Sequence, residues 1–182
     1  LSAYLKLLSE SASLSRENME RAFAAANASI ASSVQQAIAE LEEAGLHVAA
    51  VSAVYETDPV GGPAQGRYLN IVAAIDTYQS ASEVLELCHA IEDAHRRTRD
   101  QRWGPRTLDI DILTYGDIEL DSPELTVPHP RAHERAFVLV PWFDLDPDAQ
   151  VGVHGTVGEV VQRVGRSGVR LHAPTLGAAR RS

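Results

Sequence analysis

Residues 108–113 read Leu-Asp-Ile-Asp-Ile-Leu, and this alternation constrains the chain more tightly than any other stretch. Side chains on a strand alternate between faces, so Leu108, Ile110 and Ile112 point one way while Asp109 and Asp111 point the other. A helix would scatter the same residues around its circumference. A strand with one face in a core and the other on a polar surface accommodates all of them. The two Asp Cα atoms then stand about 7 Å apart, at roughly 3.4 Å per residue. Their carboxylates can converge on metal ions about 4 Å apart; without a cation they repel. The plain alternative is an edge strand with solvated acids.

The rest of the chain supplies partners for that strand. Ser33–Ala44 carries Val34, Ile38 and Leu41 at helical spacing, and Val48–Tyr55 and Tyr68–Thr77 are β-rich runs that predict an antiparallel pair across an irregular loop at Asp58–Pro63. Ser80 and Glu83 have capping-box spacing ahead of Val84, Leu87, Cys88 and Ile91, which predicts a helix from about Ser82 to Arg96. With Ala22–Ala26 taken as the first strand, the order strand, helix, strand, strand, helix, strand predicts an α+β fold. It is a ferredoxin-like sandwich, an antiparallel sheet with helices packed on one face. Ala136–Val140 is apolar, and Val160–Ser182 adds a helix and a strand. Leu1, Leu5, Leu8 and Ala12 suggest an amphipathic helix or a loose arm, so residues 1–19 are read as an extension or linker and 20–182 as the domain. A start at Leu1 in place of Met points to sequence upstream.

Charge narrows the chemistry. Acidic residues outnumber Lys plus Arg by 25 to 16, giving a net charge of -9 that opposes bulk binding to nucleic acid or anionic membrane. No apolar run is long enough for a membrane helix. A single cysteine, Cys88, excludes an intrachain disulfide and multi-cysteine zinc sites, and fits the cytoplasm. On the apolar side of its helix it reads as a core residue and not a nucleophile.

Against that acidic background, Arg96, Arg97, Arg99, Arg102 and Arg106 fall within eleven positions just before the carboxylate pair. Guanidinium groups bind phosphate oxygens in pairs, and carboxylates bind Mg²⁺, which takes phosphates as further ligands. A solvated basic loop is the bland reading. Lys6 is the only lysine and no Gly-x-x-x-x-Gly-Lys-Ser/Thr occurs, so a P-loop kinase is excluded. His133-Glu134 would need a histidine at 137 to be a zinc protease motif, and Phe137 stands there. His129, between Pro128 and Pro130, is on extended or turn backbone and suits phosphate donation beside Arg135.

The stretch Arg-Trp-Gly-Pro-Arg-Thr-Leu-Asp-Ile-Asp-Ile-Leu at 102–113 resembles the signature of the 6-hydroxymethyl-7,8-dihydropterin pyrophosphokinase family. Further blocks agree in order: Val-Tyr-Glu-Thr-Asp-Pro-Val-Gly at 54–61, Tyr-Leu-Asn at 68–70, Ile-Glu at 91–92, Leu-Thr-Val-Pro-His-Pro at 125–130 and Glu-Arg-Ala-Phe-Val-Leu-Val-Pro at 134–141. The resemblance runs from about Glu20 to Asp148. It implies transfer of pyrophosphate from ATP, with Mg²⁺, to the hydroxymethyl oxygen of a reduced pterin, releasing AMP in folate biosynthesis.

By the family's pattern, Asp109 and Asp111 ligate two Mg²⁺ ions, and Arg97 and Arg106 stabilise phosphate charge in the transition state. His89, Glu92, Arg99, Arg102, Ile112, Thr126, His129 and Arg135 hold ATP. The pterin lies between Tyr68 and Phe137, with Asn70 reading its edge, the backbone of Thr57 and Val60 completing the pocket, and Trp103 closing over it. Stacking and apolar burial suit a flat heteroaromatic, and an Asn amide offers both a donor and an acceptor.

One departure stands out. The family has Gly-Ser-Asn after its first strand, whereas the present alignment puts Asn27–Ser32 there, without the glycine. That motivates a second reading, a binding protein that keeps the pocket without turnover. A ferredoxin-like RNA-binding module is a third, opposed by the charge. Residues 1–19 would suit a linker from another folate-pathway enzyme, fused or associated. Asp109→Ala and Asp111→Ala are each expected nearly to abolish turnover while leaving the fold intact.

Overall fold

Nine residues at the N-terminal end decide the architecture. The structure, a computed structural model, describes residues 2–10, 32, 34–57, 68–97 and 108–173, and in it Ser2–Glu10 forms strand β1. Helix α1 follows at residues 34–43, then β2 (His47–Val51), β3 (Val54–Thr57), β4 (Tyr68–Asp76), α2 (Ala81–Arg97) and β5 (Asp109–Tyr115). A two-strand ribbon, β6 (Leu120–Asp121) and β7 (Thr126–Val127), leads to α3 (Ala136–Leu145), α4 (Val157–Val164) and β8 (Val169–Ala173). The sheet order is β5-β1-β4-β3-β8, with β2 also on β4, and every pairing is antiparallel.

The predicted ferredoxin-like sandwich is therefore present, with β8 added at one edge. Three details differ. Residues 2–10 are neither a helix nor a loose arm: they pair with β4 on one side and β5 on the other, so this part of the stretch read as an extension is built into the sandwich. The helical spacing of Leu1, Leu5 and Leu8 competes with a period-two pattern, and the latter prevails because Ala3, Leu5 and Leu7 are fully buried on one face of the sheet. Burying Leu5 and Leu7 contributes about 2 kcal/mol each. Residues 22–26, expected to be the first strand, lie outside the described residues, as does the atypical 27–32 loop apart from Ser32.

The single run expected over 48–55 is two strands. Between them Ser52 donates its N–H to the Val72 carbonyl at 2.9 Å, and its Oγ accepts from Val72 N–H at 3.0 Å, so the side chain repairs the ladder where the strand breaks.

Helices cover both faces, not one. Val34 and Leu41 of α1, with Val84, Cys88 and Ile91 of α2, pack against Leu5, Leu7, Ile71, Ile110 and Ile112. On the opposite face Val138, Leu139 and Trp142 of α3, with Val157, Val160 and Val161 of α4, pack against Val72 and Leu113. The predicted capping box is formed: Ser80 Oγ accepts from Glu83 N–H, and the Glu83 carboxylate accepts from Ser80 N–H at 2.7 Å. No described helix is long and apolar enough to cross a membrane.

Candidate active site

β5 is an edge strand, and α2 and the 122–130 segment flank it to leave a cleft of about 640 Å³ along its outer side. Leu108, Ile110 and Ile112 are buried in the core, while Asp109 and Asp111 are part-exposed and both line the cleft. The alternation thus puts the carboxylates together as the sequence predicts. His89 and Glu92 from α2, and Thr126 and His129 from the flanking segment, line the same cleft, as does Ile112.

Glu92 is held there by the sheet. Its Oε1 accepts the Ile110 N–H at 2.7 Å, which ties α2 to β5 and fixes a buried carboxylate. His129 is fixed as well: its N–H donates to the Leu113 carbonyl at 2.8 Å, and its Nδ1 accepts the Arg131 N–H at 3.1 Å. An accepting Nδ1 puts the ring proton of the neutral form on Nε2. Burial lowers the His129 pKa, Asp111 works against that shift, and Arg135 adds to it. A neutral imidazole with a donor Nε2–H suits a phosphate oxygen.

Lys6 is the functional candidate that sequence reasoning missed. On β1 it is the register partner of Asp111, with Nζ 3.3 Å from Oδ2. Lys6 is 2% exposed, and its ammonium lies 5.4 Å from the centre of the Phe137 ring. The available signal was a lone lysine at an alternating position in an apolar strand. Cys88 behaves as expected: it is fully buried, and desolvation, aided by Glu92 and Asp111, pushes its thiol up to about 12.

A second group of predicted residues lies across β1. Tyr68, Asn70 and Val72 alternate on β4, and Val72 marks their face as the one that α3 covers. Asn70 is 0% exposed; its Nδ2 donates to Thr57 Oγ1 at 3.0 Å, while its Oδ1 has no hydrogen-bond partner among the described residues. A buried amide oxygen left unmatched costs about 1–3 kcal/mol, so it favours a ligand that brings a donor. Leu8 on β1 is the register partner of both Asn70 and Asp109, so those two positions are separated by two strand spacings, about 10 Å. Phe137 begins α3 beside Arg135, whose guanidinium carbon lies 5.8 Å from the ring centre. Arg135 is absent from the cleft lining and sits with Phe137 instead. Arg97 is the last residue of α2. Val60, Arg99, Arg102, Trp103 and Arg106 lie outside the described residues.

The sequence is similar to known proteins over the same elements. A family model described as 7,8-dihydro-6-hydroxymethylpterin-pyrophosphokinase matches residues 22–147. A 2-amino-4-hydroxy-6-hydroxymethyldihydropteridine pyrophosphokinase of Bacillus subtilis is 47% identical over 113 residues, 62% of this chain and 68% of that protein. Proteins of the same name from Pseudomonas aeruginosa and Methylorubrum extorquens are 50% identical over 102 residues and 42% identical over 125. The matches cover 56% and 69% of this chain, and 63% and 78% of those two proteins, respectively.

Proposed function

This chain belongs to the 7,8-dihydro-6-hydroxymethylpterin-pyrophosphokinase family and is a pyrophosphokinase of folate biosynthesis, passing a pyrophosphoryl group from ATP to hydroxymethyldihydropterin; from that premise we propose which of its residues do the work. ATP occupies the β5 cleft, contacted by His89, Glu92, Ile112, Thr126 and His129, with Arg99, Arg102 and Arg135 on its phosphates. The pterin lies on the face covered by α3, stacked between Tyr68 and Phe137, with backbone contacts from Thr57 and Val60. Asn70 Oδ1 accepts from the pterin's amino edge, and Trp103 covers the ring.

Mg²⁺ fits Asp109 and Asp111. Among the described residues no group of three or more His, Cys, Asp or Glu could hold a metal, and a carboxylate pair without a third protein ligand suits a hard cation that completes its shell with water and phosphate oxygens. When bound, the ion supplies neutralisation of the phosphate charge. The chain's own groups do the rest. Arg97 and Arg106 hold the negative charge that builds as the bond from the β-phosphorus to the AMP oxygen breaks, and His129 Nε2–H keeps a phosphate oxygen in place. The acceptor alcohol needs positioning more than activation, and the aromatic pair with Asn70 supplies it. A single buried cysteine fits work in the cytoplasm.

The observation that carries this reading is that Asp109 and Asp111 share one cleft with His129, Thr126 and Glu92. Incubation with ATP, Mg²⁺ and 6-hydroxymethyl-7,8-dihydropterin should yield AMP and the pterin diphosphate. ADP as the nucleotide product would overturn the bond assignment, and nucleotide binding without AMP at any Mg²⁺ concentration would leave a binding protein.

A further inference from the structure

We infer that Lys6 stands in for one of the two divalent cations expected at the Asp109–Asp111 pair, so that the chain binds a single metal ion with its nucleotide. The inference rests on the metal reading above and concerns a residue outside the motifs that identify the family.

The ammonium cannot easily leave. Leu5 and Leu7 are fully buried in the core on the opposite face of the sheet, and a one-residue slip of β1 would drive Lys6 into that core. Its register puts it opposite Asp111, its Nζ is 3.3 Å from Oδ2, and its side chain is 3% exposed. A buried cation so placed is tolerated because a carboxylate compensates it. The Phe137 ring, 5.4 Å from Nζ, adds a second attraction.

This position is where a second dication would compete. Mg²⁺ binds a carboxylate oxygen at about 2.1 Å and demands near-octahedral surroundings. An ion on Asp111 Oδ2 would share that oxygen with the ammonium, two like charges on one acceptor. Strand order also matters. β1 lies between β5, which bears the carboxylates, and β4, which bears Asn70. Lys6 thus carries its charge between the nucleotide cleft and the acceptor side, where the transferred pyrophosphoryl group passes. From there the ammonium neutralises Asp111 and takes over the screening that an ion on that side would provide.

The test counts ions. Mn²⁺, another hard dication, is titrated into the full chain with saturating α,β-methylene-ATP and bound ions are counted by electron paramagnetic resonance, for the wild type, Lys6→Met and Lys6→Arg, with folding checked by circular dichroism. One ion in the wild type, one in Lys6→Arg and two in Lys6→Met would support the inference; a merely structural lysine would not change the count. Two ions in the wild type would overturn it even if no variant folds, as would one ion in both the wild type and Lys6→Met. No ion in any of them would refute the carboxylate-pair metal site itself, and the inference with it.

Discussion

Replacing Asp111 should cost stability as well as turnover, and replacing Asp109 should cost mainly turnover. The difference lies on β1: the register partner of Asp111 is Lys6, whereas that of Asp109 is Leu8. Asp111→Asn leaves the ammonium of a side chain only 3% exposed facing a neutral amide. Coulomb attraction across the observed 3.3 Å is about 5 kcal/mol at an effective dielectric constant of 20. Breaking a buried pair by removing one partner costs about 3–5 kcal/mol. Asp111 is 28% exposed, so water reaches its side of the pair and lowers the cost to about 2–3 kcal/mol. For a chain of this length each kcal/mol moves Tm by about 2–4 °C, so the variant should melt roughly 5–10 °C below the wild type. Asp109 is part-exposed and faces Leu8 in the register instead of a buried ammonium, so Asp109→Asn should cost less than Asp111→Asn. This revises the sequence expectation that both substitutions spare the fold. Thermal and urea unfolding in EDTA would measure it, with Lys6→Met and the double variant closing the cycle. The coupling should be about 2 kcal/mol, with the double variant more stable than the sum of the singles predicts. Equal melting of the two Asp variants, or a coupling near zero, would refute the reasoning.

Two further substitutions probe the site. His129→Gln should raise KM for ATP about tenfold, the worth of one charge-assisted hydrogen bond, and should change the acid response. Because burial lowers the His129 pKa in the folded chain, the unfolded chain protonates first as pH falls. The neutral ring's contribution is complete above about 6.5 and declines below it, levelling off once the folded pKa is passed. The stability gap between wild type and His129→Gln, from urea unfolding at pH 7.5 and 5.5, should therefore be smaller at the lower pH; a constant gap would count against this account. Asn70→Leu removes the unmatched Oδ1 and should raise KM for the pterin more than tenfold while leaving KM for ATP within about twofold. Comparable shifts in both constants would place Asn70 outside the pterin pocket.

How much of this was readable depends on whether a local period coincided with a tertiary face. β5 was legible because its apolar and acidic residues alternate without exception from Leu108 to Ile112, and α2 because Ser80 and Glu83 mark its start. β1 was obscured by a leucine spacing that also fits a helix and by Lys6, a charge at a position that only its neighbour on β5 makes tolerable. α3 was hidden for a different reason. Val138 to Trp142 are all buried because the helix packs on both the sheet and α4, so no polar face betrays a period, and Pro141 inside it argues against a helix altogether. The proposed pterin contacts rest on family blocks. That Asn70 keeps one oxygen unmatched, and that Lys6 neutralises one of the two acids, depend on strand order and could only come from the folded chain.

The middle place of β1 also governs how the molecule assembles. It is synthesised before every other element described here, yet Leu7 waits roughly sixty residues for its first neighbour, Ile71, and roughly a hundred for its second, Ile110. At ribosomal speed that interval lasts seconds, during which an apolar segment has both hydrogen-bonding edges open. Pairing of β1 on both sides is therefore a late event, reached only when β5 emerges. The acids proposed to hold the metal arrive on the strand that closes the second edge of β1, so a nascent chain cannot present them before β1 is paired on both sides.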